Sequence, residues 1–118
     1  MAIQLHVLSE DINGFVAASL VDSESGLALA TEGMGIDLDI ASAGNTEILL
    51  AKRNTMQNLG IDDDVEDILI TLSHQYHLIR PLKNNPALFL YVVLDQNKAN
   101  LAMARHMLKN FENNLDFS

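Results

Sequence analysis

One short stretch of the sequence has residue types that could support nucleophilic chemistry. Ser23, Glu24 and Ser25 lie between two apolar stretches, and a serine hydroxyl can act as a nucleophile when a base activates it. No histidine lies at a meaningful spacing from Asp22 or Ser23, and a catalytic triad is recognised by geometry rather than by spacing. Ser, Asp and Gly are favoured in turns, and Gly26 can take the positive φ of a tight hairpin. The stretch therefore predicts a polar hairpin tip.

A run of acidic side chains offers the oxygen ligands that a hard cation prefers. Asp62, Asp63 and Asp64 are followed closely by Glu66 and Asp67. The calcium-loop pattern needs a glycine at its sixth position and a glutamate at its twelfth, and this run lacks both. Since charge runs usually stay in water, the sequence predicts a solvated acidic turn and no metal site.

The four histidines do not form a ligand set either. His74 and His77 are three residues apart, and on a strand this spacing places them on opposite faces, where they cannot share a metal ion. His6 and His106 are single residues without a nearby ligand pattern. We interpret all four as ordinary surface or boundary residues. The sequence predicts no metal, no cofactor and no enzyme, because no acid–base set is recognisable.

Four further residues have types that could serve a role beyond local structure. Gly33 and Gly35 match half of a dinucleotide fingerprint, but the third glycine is absent, so they predict a loop. Gly44 lies in a side-chain-poor stretch of a predicted helix, and is either a packing gap or a place where another backbone approaches closely. Arg53 has the chemistry of an arginine finger, and a solvated helix position is the simpler interpretation.

Composition narrows the classes of partner. The 118 residues include 16 acidic and 7 basic side chains and no cysteine, for a net charge of -9. A field of this sign repels nucleic acid and anionic membrane surfaces, and no apolar run approaches the length of a membrane span. We expect one domain over residues 1–118 in a soluble, cytoplasmic protein. The hydrophobic fraction, 48%, predicts either a large core or apolar surface buried against another chain.

Two segments are apolar on both faces and therefore predict central strands. In residues 14–22, Phe15, Ala17 and Val21 alternate with Val16, Ala18 and Leu20, and residues 87–95 repeat the pattern. Such strands need cover on both sides of the sheet. Residues 26–31 continue the first strand as a hairpin. Shorter strands follow the acidic turn, one of them ending at Pro81, and residues 96–115 predict a final helix.

The segment from about Asp39 to Leu59 predicts a helix with an unusual apolar pattern. Asp37 or Asp39 can cap its start, and Gly60 can end it. Ile48, Leu49, Leu50 and Ala51 are consecutive, and at about 100° per residue they span most of the circumference. Because a helix on one core needs only one apolar face, the second face of this helix predicts a partner.

The resulting order, αββαβββα, resembles the Roadblock / dynein light-chain domain family. The stretches that carry the resemblance cover nearly the whole chain, and their specificity lies in the combined order and spacing. They are GFVAASLVDSESGLALATEG, IASAGNTEILLAKRNTMQNLG, and the residues from DDVEDILITLS to HMLKNFENNL. The resemblance implies a profilin-like α+β fold, with a five-stranded antiparallel sheet of order 2-1-5-4-3 between helices. The second helix would cover one face, and the first and last helices the other.

The resemblance also implies a function. Family members dimerise through edge strands and second helices, and the bacterial type regulates or scaffolds a small Ras-like GTPase without enzymatic activity. The residues expected at the dimer or partner interface are Ala41, Gly44, Ile48, Leu49, Leu50, Met56, Ile68 and Ile70. Glu66 and Asp67 are expected on the third strand, where like charges are unfavourable unless they point away or meet cations.

Two alternatives to GTPase regulation stay open from the sequence. One is an interaction module in a larger complex that contains no GTPase. The other is a small-molecule sensor, which an apolar pocket lined by Phe15, Phe89 or Tyr91 would favour.

Overall fold

A computed structural model describes residues 3–115 of the chain. Three helices and five strands follow one another in the predicted order, αββαβββα. They are α1 (His6–Asp11), β1 (Phe15–Asp22), β2 (Leu27–Gly33), α2 (Leu38–Asn58), β3 (Ile68–Thr71), β4 (Gln75–Leu82), β5 (Asn85–Asp95) and α3 (Leu101–Asn113). Among residues 3–115, none of the helices combines the length and the apolar character needed to cross a membrane.

The five strands form one antiparallel sheet in the order β2-β1-β5-β4-β3, as expected. The two strands with apolar residues on both faces, β1 and β5, are neighbours near the middle of the sheet. Their side chains are buried on both sides because helices cover both faces. The two edges are β2 and the four-residue strand β3.

A separate hydrophobic cluster lies on each face of the sheet. On one face, α1 and α3 cover a cluster that includes Leu20, Leu90 and Leu108. On the other face, α2 covers a cluster that includes Val21, Leu49 and Phe89. Strand β5 contributes to both clusters with the alternation that the sequence predicts, because neighbouring residues of a strand point to opposite faces.

Two irregularities in the strands correct the predicted faces of the first hairpin. The pairing of β1 with β5 shifts at Val16, so Phe15 packs on the α1/α3 face instead of beside Ala17. The pairing of β1 with β2 also shifts, and Leu29 is left as the extra residue of a bulge. A bulge adds one residue to one strand and exchanges the faces beyond it, which an alternation pattern in the sequence does not reveal.

The hairpin tip between β1 and β2 is a turn, as predicted. Gly26 has φ +76°, the left-handed conformation that glycine adopts without a steric penalty. The Ser23 hydroxyl donates a 2.7 Å hydrogen bond to the Ala87 carbonyl oxygen, and the Asp22 carboxylate accepts from Glu24 N and Ser25 Oγ. The hydroxyl and carboxyl groups of this stretch therefore hold the turn.

Several predicted boundaries are wrong in ways that have a local cause. Strand β4 has the predicted bounds, QYHLIRPL, but Pro81 does not close it: Pro81 is paired with Phe89 although proline cannot donate to the ladder. Glu66 and Asp67 precede β3 instead of lying on it. Helix α3 starts only after Asn100, whose side chain accepts a hydrogen bond from Met103 N and so caps the helix.

Candidate partner interface

The inner face of α2 is fixed to the sheet by apolar and hydroxyl contacts. Leu49 is completely buried in the core cluster. The hydroxyls of Ser42 and Ser19 lie 3.0 Å apart in a buried hydrogen bond between α2 and β1. Leu49 therefore has no surface to offer to a second chain, and its predicted place at the interface is wrong. The sequence pattern missed this because Leu49 lies within a run of apolar residues that passes around the helix.

Both ends of α2 have specific hydrogen bonds. Asp37 accepts from Asp39 N and Ile40 N at 3.1 Å, which confirms one of the two predicted N-caps. Near the other end, Arg53 donates from Nη2 to the Pro86 carbonyl oxygen at 3.0 Å. Arg53 is thus anchored to the start of β5, and it is neither a fully solvated residue nor a free arginine finger.

The outer side of α2 leaves large apolar side chains in water. Ile40, Ile48 and Leu50 are 72%, 40% and 47% exposed. Gly44 lies between them, and a Cβ atom added there would have no neighbour within 4 Å in this chain. No neighbour within the chain requires a small residue at position 44. The interpretation of Gly44 as a packing gap within the chain therefore has no support.

The exposed residues lie on two different flanks of α2. Ala43 lies beside Gly26 of the β1–β2 hairpin, and Leu50, seven residues further on, points to this same flank. Ala41 and Ile48 share the opposite flank, and Ala41 packs against the cluster that also holds Ile68 of β3. Ile48 therefore faces toward β3, whereas Leu50 faces toward β2.

Strand β3 presents its isoleucines on the same face of the sheet as α2. Ile68 is paired with Ile79, a buried member of the α2-side cluster, and Ile70 is paired with His77. Both isoleucines are half-buried in the isolated chain. Among residues 3–115, β3 pairs with β4 alone, so its other side is a free edge. A free edge carries unpaired N–H and C=O groups that can pair with another strand.

The predicted interface residues thus divide into four groups. Ala41, Gly44, Ile48, Ile68 and Ile70 belong to α2 and β3 on one face of the sheet, and we call them the α2–β3 surface. Leu50 lies on the other flank of α2, and Leu49 is in the core. Met56 is half-buried and lines a cavity at the C-terminal half of α2.

A polar cluster that the sequence did not predict lies on the α2 face of the sheet. His77 Nδ1 is 3.0 Å from Tyr91 Oη, and His77 Nε2 is 2.9 Å from Gln75 Oε1. Burial lowers the pKa of His77 and raises the pKa of Tyr91. His77 is a half-buried boundary residue. His77 and Tyr91 lie on the same face of the sheet because of the register of β4 against β5, and the sequence alone does not give that register.

A charged network fastens the start of β3 to α3. Arg105 binds Asp67 through both a 2.9 Å bond from Nε and a 3.1 Å bond from Nη2. Arg80 Nη1 lies 3.9 Å from Asp67, and Arg80 Nε donates to Glu112 at 3.2 Å. Hydrogen bonding to Asp67 raises the pKa of Arg105. Asp67 therefore meets cations, one of the two conditions under which an acidic residue near β3 is tolerated.

The main cavity among residues 3–115 lies away from the aromatic residues that the sensor interpretation needs. A cavity of about 810 Å³ is bordered by the C-terminal half of α2, residues 60–66 and the end of α3. Phe89 and Tyr91 are buried in the α2-side core, and neither they nor Phe15 line this cavity. Residues 3–115 also contain no group of three His, Cys, Asp or Glu side chains that could hold a metal ion.

Solved structures share this arrangement of helices and strands. The Roadblock/LC7 domain from Streptomyces avermitilis superimposes with a TM-score of 0.80 at 16% identity, covering 92% of this chain and 88% of that one. The chain has the Roadblock/LC7 fold. Myxococcus xanthus MglB gives 0.77 at 15% identity, with 91% and 84% covered. The gliding protein MglB from Thermus thermophilus gives 0.76 at 17% identity, with 92% and 79% covered.

The sequence itself differs widely from the sequences of these structures. No protein-family model matches it, and no curated protein matches it either. The Roadblock/LC7 fold is nevertheless found over nearly the whole of the chain, with the predicted strand order. The order of elements and the hydrophobic pattern therefore predict this fold where residue identity is low.

Proposed function

We propose that this chain forms a homodimer through the α2–β3 surface. The observation that carries the proposal is the exposed Ile48 on the flank of α2 that faces β3, together with the free edge of β3. Pairing two β3 strands about a two-fold axis gives each edge its missing hydrogen bonds. The same axis brings two α2 helices together, so one interface covers both features.

The residues of the α2–β3 surface suit such a contact. Gly44 presents no side chain, so a second helix can approach the α2 backbone closely. Ile68 and Ile70 supply apolar area next to the edge that would pair. Assembly of several copies is also known for a protein of similar structure, since one MglB structure has a tetrameric arrangement.

We further propose that the dimer is a cytoplasmic, non-enzymatic regulator or scaffold of a small Ras-like GTPase. The support is the likeness to the Roadblock/LC7 fold, together with apolar surface on α2 that β3 pairing leaves uncovered, such as Leu50. A regulator of this kind stabilises one conformation of its partner by binding it more tightly than the other. It donates no catalytic group to the reaction.

The dimer is tested by a matched pair of substitutions on the two flanks of α2. Ile48→Asp places a charge in the proposed seam, whereas Leu50→Asp places the same charge on the opposite flank at similar exposure. Sedimentation at micromolar concentration should give a dimer for the parent and for Leu50→Asp, and a folded monomer for Ile48→Asp. A parent chain that sediments as a monomer rules out the proposed dimer, and a dimeric Ile48→Asp rules out this seam.

The GTPase is tested separately by capture. The parent protein is immobilised, and a bacterial lysate is applied once with a GTP analogue and once with GDP, with mass spectrometry of the retained proteins. Retention of a GTPase in one nucleotide state supports regulation, and equal retention in both states supports a scaffold. If neither state retains a GTPase while other proteins are captured, an interaction module without a GTPase replaces this proposal.

A further inference from the structure

A second cavity, of about 600 Å³, lies beside α3, between this helix and the residues that directly precede β3. Ala102, Arg105 and Lys109 line it at spacings of three and four residues, so they share one side of the helix. Arg80 of β4 and Asp67 border it from the sheet. The short side chain of Ala102 leaves the space, and the two long basic side chains lie next to that space.

The basic residues of this acidic chain are concentrated at this end of the molecule. The two cavities share Glu66, Arg80 and Lys109, and together they are lined by five of the seven basic residues. These five are Arg53, Arg80, Lys83, Arg105 and Lys109. A chain of net charge -9 repels anions elsewhere, so a cluster of this kind marks the surface where an anion can bind.

The balance of charge separates the two cavities. The 810 Å³ cavity is lined by four basic and five acidic side chains. The 600 Å³ cavity is lined by three basic side chains and His106, against only Glu66 and Asp67. We call the second cavity the α3 cavity. Since Arg80 is paired with Glu112, Arg105 and Lys109 are the side chains that would favour an anion there.

Hydrogen-bond donors remain free in the α3 cavity. Asp67 occupies Arg105 at Nε and Nη2, and a guanidinium has five N–H donors in all. The Arg105 side chain is still 41% exposed. Within residues 3–115, Lys109 is exposed and has no carboxylate within 4.0 Å, since the ion pairs of this region join other residues. Arg105 and Lys109 can thus both donate to a ligand.

We propose that the α3 cavity binds the phosphate group of a small organic molecule. Arg105 and Lys109 would hold the phosphate oxygens, and His106 lies at the same cavity as a third donor. A phosphate group has three acceptor oxygens, which can accept hydrogen bonds from donors in different directions. The Asp67 carboxylate uses only the Nε and Nη2 donors of Arg105, so the other donors remain for a ligand.

This site is independent of the proposed dimer and GTPase. It lies on α3, which covers the opposite face of the sheet from α2. The residues proposed to hold the ligand, Arg105, His106 and Lys109, all belong to α3, and none of them is part of the α2–β3 surface. The ligand would therefore bind equally to a dimer and to a monomeric variant.

The test is an NMR titration of the full chain with inorganic phosphate, against sodium chloride at matched ionic strength. Phosphate should cause saturable amide shifts in the segment from Ala102 to Lys109. Lys109→Gln should weaken this binding roughly fivefold or more, because one of the two charge-assisted contacts is lost. Lys98→Gln, which removes an exposed charge outside both cavities, is the matched control and should titrate like the parent.

Four results would overturn the proposal. Two concern the parent protein with phosphate: amide shifts that sodium chloride reproduces, and shifts that do not saturate. The third is a titration of Lys109→Gln that matches that of the parent. The fourth is binding of acetate with the same affinity as phosphate, which would make the site a general carboxylate site. The titration is repeated with the Ile48→Asp variant. Phosphate binding that persists in that variant separates this site from the dimer, whichever way the sedimentation experiment turns out.

Discussion

Helices α2 and α3 both cover the sheet, and they differ in what they leave outside. Helix α3 turns Ala104 and Leu108 into the core, and Met103 is its one exposed large apolar residue. Helix α2 exposes Ile40, Ile48 and Leu50 although it already buries Leu49. The sequence of α3 is thus explained by the isolated chain, whereas that of α2 is explained only if a second surface lies against it.

The largest expected effect is a difference in the free energy of unfolding between substitutions at two adjacent residues of α2, one on its inner side and one on its outer side. Leu49→Ala should lower the free energy of unfolding by about 3 kcal/mol, because it leaves a cavity in the core. Leu50→Ala should change it by less than about 0.5 kcal/mol, since Leu50 is largely solvated. Urea unfolding followed by circular dichroism, at one protein concentration, measures both. Equal losses would contradict the orientation of α2 described above.

The next effect concerns the contact between α3 and the start of β3. Asp67→Asn should lower the free energy of unfolding by about 1–2 kcal/mol, since Arg105 and Arg80 lose their shared carboxylate. Asp63→Asn is the control, because an asparagine can keep the 2.8 Å bond that Asp63 accepts from Asp64 N. The same urea experiment applies. Indistinguishable midpoints for the two variants would mean that the network contributes little to stability.

A smaller effect is expected on the outer side of α2. Gly44→Ala should raise the free energy of unfolding by about 0.5–1 kcal/mol, because glycine is a poor helix residue and a Cβ atom there meets no neighbour. The gain is best measured in the monomeric Ile48→Asp background. In the parent background the same substitution should weaken the dimer, if two helices approach at this position. A dimer of unchanged affinity would place the helix contact elsewhere.

The smallest expected effect is a pH dependence of stability that comes from His77, on the face of the sheet that α2 covers. Burial favours neutral His77, so its folded pKa lies below the ordinary value of about 6.5 and the unfolded chain binds a proton first. The contribution of His77 to stability is therefore complete above about pH 6.5 and is lost progressively as the pH falls below it. Urea midpoints at pH 7.5 and 5.5 should differ less for His77→Gln than for the parent. An unchanged difference would assign the pH dependence to other groups.

Much of the fold could be predicted from the sequence because it depends on local patterns. Apolar residues on both faces of β1 and β5 require cover on two sides, and the tight turns between strands require antiparallel pairing. The second apolar side of α2 was also visible. Since Ile48 to Ala51 cover most of the circumference, however, the pattern could not tell which of them face the sheet. That choice depends on tertiary contacts such as the Ser19–Ser42 bond.

Contacts between distant parts of the chain could not be predicted in the same way. Asp67 and Arg105 are 38 residues apart, and Arg80 and Glu112 are 32 apart. No local spacing connects them, and their meeting depends on how α3 packs across the sheet. The bond between His77 and Tyr91 depends likewise on the register of β4 against β5.

The bulge at Leu29 limits how many copies can join through their sheets. Two chains paired at β3 would still have a β2 strand at each end, with Leu27 and Leu29 66% and 57% exposed. A regular apolar strand at both ends would let dimers add without limit and form a fibre. Because a bulge bends and twists a strand, β2 is a poor template for further pairing. The irregular edge therefore favours a discrete assembly over a polymer.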